Sequence, residues 1–172
     1  GPLTGAHRLT AIVDMGASLT VVGRNTMNTQ AAMAGLHGYE TYTSPLAVPR
    51  QIGGVGTGNI ICSEEVRLPM ASLTNDPNAS STFQRLQAHI VGGVQADMPA
   101  MIGAPYLQDR DAVLILRKGK SLCVIPGEGG YQITWSAGTK QFPMYRSERG
   151  HFVMEIDHFG SLTAQDTHQE TP

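Results

Sequence analysis

Short apolar runs interrupted by Gly, Pro and Asp recur along the chain, a pattern that predicts strands far more often than helices. Leu9–Val13 (LTAIV) is a continuous apolar stretch that ends at Asp14, and Ser18–Gly23 (SLTVVG) resumes the same character after a tight glycine-containing turn. Asn25–Leu36 (NTMNTQAAMAGL) reads as a short helix capped by Asn25 or Thr26. Ile52–Gly58 (IGGVGTG) sets glycines at 53, 54, 56 and 58 between two β-like stretches, which predicts a hairpin tip. Ser72–Thr82 (SLTNDPNASST) reads as a surface loop joining two strands. Phe83–Gly92 predicts a strand, Met101–Gly103 a small apolar segment, and Pro105 the first turn of a helix. Val113–Leu116, Ser121–Ile125, Tyr131–Trp135, Lys140–Tyr145 and His151–Ile156 follow at short spacing and predict hairpins, and after Phe159 the chain turns polar and reads as a frayed tail.

Composition narrows the class. At 172 residues the chain is long enough for one domain with one core, and 41% hydrophobic with 15% charged residues is the balance of a globular protein. Twenty glycines and ten prolines suit many turns and short strands, so an all-β domain is expected. Twelve Lys and Arg against 14 Asp and Glu leave a net charge of −2, which provides no basic field for nucleic acid. The apolar runs are too short to cross a bilayer, so no membrane partner is expected. Cys62 and Cys123 sit in apolar stretches without metal-ligand spacing and read as free, buried thiols, which suits a reducing, intracellular (cytoplasmic) setting. Gly1–Pro2 ahead of Leu3 reads as the scar of a rhinovirus-type protease cut, and the missing initiator Met as the mark of a fragment released from a larger chain.

Several chemistries lack their residues. The glycines at 53–58 satisfy neither dinucleotide nor phosphate-loop spacing. Six scattered histidines form no H-x-x-x-H pair, so no metal site is expected, and neither Ser18 nor Ser121 stands in a nucleophile elbow. What remains is Asp14, a carboxylate placed at the end of an apolar strand, where burial is costly unless it has a partner or a task. An aspartate that merely opens a turn is the plain alternative. Three segments occur in order: AIVDMGAS, IGGVGTG and MIGAPYL.

Together these resemble the retropepsin-like aspartic proteases of retroviruses and long-terminal-repeat retrotransposons, across about residues 7 to 118. The resemblance implies an all-β acid-protease fold, a closed barrel or sandwich with one or two short helices. It implies a homodimer as well, because the chain holds one Asp-x-Gly motif and a two-carboxyl mechanism needs a second copy of Asp14 across a twofold axis. Two carboxyls held close share a proton, so one accepts a proton from water while the other polarises the peptide carbonyl, with no cofactor and no metal. Asp14 is then the catalytic residue, and Met15, Gly16, Ala17 and Ser18 complete the active-site loop, the Gly16 amide donating to the carboxylate. Ile52, Gly53, Gly54, Val55, Gly56 and Thr57 form the flap, which binds an extended peptide or polyprotein substrate as an added strand. Gly103 permits close approach beneath the loop, and Ile102 lines a substrate pocket or is plain core.

By the same resemblance residues 1–6 form an N-terminal arm, 7–118 the protease core, 119–159 additional strands and 160–172 a flexible tail. Two positions depart from the family pattern. Met15 stands where the family carries Thr or Ser, whose hydroxyl braces the dimer beneath the carboxyls, so Met15→Thr is expected to tighten the dimer. Ala104–Pro105 replaces residues that usually support a dimer-stabilising ion pair. The departure at Met15 keeps open a second reading, a non-catalytic retropepsin-fold module that dimerises or binds peptide; a β-barrel interaction domain unrelated to proteases is a third.

Overall fold

The structure, a computed structural model, describes residues 8–53 and 60–162. Its main body is a six-stranded mixed sheet in the order β1-β6-β2-β5-β4-β3, built from β1 (Ala11–Val13), β2 (Val21–Gly23), β3 (Tyr42–Ile52), β4 (Ile60–Asp76), β5 (Ala79–Val91) and β6 (Ala100–Ile102). The fold is mainly β, with two α-helices among the described residues, α1 (Arg24–Leu36) and α2 (Ala104–Asp109). The expected closed barrel does not form: β1 and β3 end the sheet on opposite sides instead of pairing. Two small ladders follow, β7 (Val113–Ile115) with β8 (Leu122–Val124), then β9 (Tyr145–Arg146) with β10 (Phe152–Val153).

Adjacent residues on a strand face opposite sides of the sheet, and the core divides accordingly. Val22, Leu86, Ala88, Ile90 and Ile102 join a cluster completed by Met27 of α1 and by Tyr106 and Leu107 of α2. Val21 and Val91 instead join Ile52 and Cys62 in a second cluster.

Helix α1 starts one residue before the expected cap, and neither Asn25 nor Thr26 caps it with a side chain. The backbone carbonyl of Ala96 accepts the N–H groups of Asn25 (2.8 Å) and Thr26 (3.4 Å). A tertiary contact thus satisfies donors that a local cap would otherwise serve. The segment expected as a loop, Ser72–Thr82, is mostly strand: Ser72 pairs with Thr82, Leu73 with Ser81 and Asp76 with Ala79. Only Pro77 and Asn78 remain for the turn, held by Asn78 N–H donating to Asp76 Oδ1 at 2.8 Å and by the Thr74 hydroxyl donating to Ala79 O at 2.8 Å. Side chains exposed on a projecting hairpin have no need to be apolar, which is why the segment looks like a loop.

Tyr131–Trp135 and most of Lys140–Tyr145 carry strand-like residues but lie outside any strand. A strand exists only within a ladder, and these stretches have no ladder partner among the described residues. Cys62 is buried as expected; Cys123, expected buried, is exposed. It lies on β8, which pairs only with β7 among the described residues and has no hydrogen-bonded strand on its other edge. No helix among the described residues is long and apolar enough to cross a membrane.

Candidate active site

β1 delivers Asp14 to the end of the sheet beside β6. Their parallel pairing runs Ala11 with Ala100, Ile12 with Met101 and Val13 with Ile102, and the Asp14 N–H extends it by donating to Ile102 O at 2.9 Å. The chain then turns at once. Ala17 N–H donates to Asp14 O at 3.1 Å, and Gly16 N–H donates to the carboxylate Oδ1 of Asp14 at 2.9 Å. Aspartate suits this position because its short side chain accepts an amide two residues on, which closes the turn and orients the carboxyl.

The loop is stitched to the segment after β6 from two further points. Ala104 N–H donates to Ala17 O at 2.9 Å, and Gly103 N–H donates to the buried hydroxyl of Thr20 at 3.0 Å. Gly103 must be glycine for contact reasons: a Cβ there would stand 2.6 Å from Leu19 O and 2.9 Å from Ala17 O. Residues 14–20 and 102–104 therefore form one interlocked unit.

Asp14 is half-buried, and Gly16 is exposed at the surface. Neither ion pair formed among the described residues, Arg24–Glu64 and Glu155–His158, involves Asp14. The carboxylate is thus steered by an amide and has no ion-pair partner among the described residues. Asp97, which precedes β6 at the end of the pair opposite Asp14, is engaged with Asn25 Nδ2 at 2.8 Å. No group of three or more His, Cys, Asp and Glu among the described residues is arranged to hold a metal.

The remaining sequence-predicted residues fall in different places. Ile102 is 8% exposed and packs in the first core cluster, so of its two readings the structure places it in the core. Ile52 ends β3 opposite Ile60 and is buried with Val21, Cys62 and Val91, while Gly53 just beyond it is exposed. Gly54, Val55, Gly56 and Thr57 lie outside the described residues. Met15 packs against the core and lines a cavity of about 260 Å³ with Leu107, Leu114, Tyr131, Met144 and Phe152.

Two participants escaped sequence reasoning. Thr20 had a weak signal, a hydroxyl opening an apolar strand. Gly150, whose backbone lies against Ser18, had none beyond being a glycine in a turn.

Comparison with known proteins finds no match among family models, curated proteins or solved structures. The functional reading rests on the motifs and on the geometry around Asp14.

Proposed function

We propose that the chain is a retropepsin-type aspartic endopeptidase, active as a homodimer in which each copy supplies one Asp14. The observation that carries this reading is the interlocked unit itself: a strand-end carboxyl steered by the Gly16 amide, on a loop locked against Gly103 with no room for a Cβ. Such rigidity suits a group that must meet its twin at fixed separation. In the pair, the ionised Asp14 takes a proton from a water whose oxygen attacks the peptide carbonyl carbon, and the protonated Asp14 donates to the carbonyl oxygen. Collapse of the tetrahedral intermediate breaks the C–N bond, and the amine leaves with a proton returned by the dyad. Ile52–Thr57 act as the flap over an extended peptide, and the natural substrate is the polyprotein from which the chain is released inside the cell. No cofactor takes part.

The packing of Met15 within its own chain favours one other reading, a retropepsin-fold module that dimerises or holds peptide without cutting it, since the hydroxyl that braces such dimers is missing. One experiment separates the two. A denatured protein mixture is incubated at several pH values with the wild type and with Asp14→Asn, and the products are read by mass spectrometry. Cleavage that disappears with Asp14→Asn supports the peptidase; no cleavage by either protein at any pH or concentration supports the module.

A further inference from the structure

The C-terminal hairpin reaches back to the loop that carries Asp14. β9 and β10 are joined through Ser147–His151, where the Ser147 N–H donates to His151 O at 2.8 Å and the Gly150 N–H to Ser147 O at 2.8 Å. Gly150 has φ +85, and a Cβ at that position would stand 2.6 Å from the Cβ of Ser18. The turn backbone therefore lies directly on Ser18, and both the left-handed φ and the contact require glycine. Phe152 of β10 and Met144, just ahead of β9, line the cavity that also contains Met15, and Arg146 Nη1 donates to Gln108 Oε1 of α2 at 3.5 Å. Residues 144–152 thus approach the Asp14 loop at two places, Met15 and Ser18, while residues 102–104 hold it through its backbone.

We propose, building on the peptidase reading above, that this hairpin is the brace of the active-site loop, with Gly150 a positioning residue that acts through Ser18. A hydroxyl beneath the carboxyls, where present, fixes such a loop from the partner copy. Here Met15 has no hydroxyl to give, and Met144 and Phe152 of the chain's own C-terminal segment line the cavity that contains Met15. Ser18 lies between the turn at Asp14 and the clamp at Thr20, so backbone pressed on Ser18 limits how far the intervening loop can swing.

The test is a double-mutant cycle on the full chain: wild type, Gly150→Ala, Ser18→Gly and the double variant. Two readouts are taken, kcat and KM on a peptide that the wild type cuts, and amide hydrogen exchange over residues 14–20 and 145–153. Alanine at 150 drives its methyl into the Ser18 Cβ; once Ser18→Gly removes that atom, the next nearest are Arg146 Nη2 at 3.1 Å, the end of a flexible side chain, and the residue 18 Cα at 3.6 Å. Gly150→Ala is expected to lower kcat about tenfold or more with KM little changed, and to speed exchange over 14–20. Adding Ser18→Gly is expected to return both readouts most of the way to those of Ser18→Gly alone, because it relieves the contact and leaves only the strain of alanine at φ +85. Wild-type kcat and wild-type exchange over 14–20 in Gly150→Ala, with changes confined to 145–153, would overturn the brace. So would an equal loss in both backgrounds, because backbone strain at 150 would then be the cause rather than contact with Ser18. If the wild type cuts nothing, the peptidase reading fails by itself, and exchange over 14–20 across the four proteins still decides the brace.

Discussion

The buried hydroxyl of Thr20 accepts the backbone N–H of Gly103 at 3.0 Å, joining the two segments that frame Asp14. Thr20 is 8% exposed, so water cannot replace the hydroxyl if it is removed. Thr20→Val preserves the shape but leaves that N–H buried without an acceptor, and is expected to cost about 1–3 kcal/mol in urea denaturation, with Thr20→Ser close to wild type. Gly103→Ala is expected to cost at least as much, about 1–3 kcal/mol or more, because its methyl meets backbone carbonyls rather than a mobile side chain. Unchanged midpoints for Thr20→Val and Gly103→Ala would show that the clamp is not needed for stability.

Asp14→Asn is nearly isosteric and keeps an oxygen for the Gly16 N–H, so its thermal midpoint is expected within a few degrees of wild type. Peptide hydrolysis is expected to fall by about a thousandfold or more, since members of a catalytic unit cannot substitute for one another. The wild-type rate is expected to be highest on the acid side of neutrality. The proposed dimeric mechanism needs one carboxyl as acid beside one as base, so a rate that falls at high pH is its expected signature. A pH series with a pepstatin-like transition-state mimic measures both: inhibition is expected to weaken along with the rate at high pH.

Met15→Thr tests the departure from the family motif. The resemblance by itself has this change tighten a dimer; the packing of Met15 against its own core and cavity sets a cost within the chain against that. The shorter threonine side chain would place a hydroxyl among Leu107, Leu114 and Phe152 and give up the contacts of the longer thioether. A stability loss of about 1–2 kcal/mol is expected, with Met15→Leu costing less than about 1.5 kcal/mol because it conserves volume. The association constant, followed by sedimentation, is expected to be unchanged; a tenfold tighter dimer in Met15→Thr would place the side chain at a subunit interface instead.

The two thiols should separate by access. Burial pushes the pKa of Cys62 up, and partial shielding pushes that of Cys123 up as well, so both are mainly protonated near neutrality and alkylate slowly. Cys123 is nonetheless exposed, whereas Cys62 is 1% exposed. Iodoacetamide under native conditions is expected to modify Cys123 first, faster as pH rises, and to reach Cys62 only with unfolding. Mass mapping of the labelled peptides checks the order.

The features legible in the sequence are those decided within a few residues of chain. Asp14 followed by Gly16 announces a turn that closes on its own carboxyl, Pro105 marks the first turn of α2, and the β-like stretches that flank the glycines from 53 onward are strands that pair antiparallel. The sequence also contained the order of the three motifs, though not how they meet. Contacts between distant residues decided the rest. Ala96 caps α1 in place of a local side chain, pairing with β5 turns Ser72 and Leu73 into strand, and Cys123 is exposed on the separate two-stranded ladder of β7 and β8. Nothing in the residues around Ser18 announces Gly150, because their meeting depends on the path of the whole intervening chain. Turn chemistry and periodicity act locally and can be read in order; close approach is settled only when separate segments compete for the same space, and that is a property of the tertiary structure.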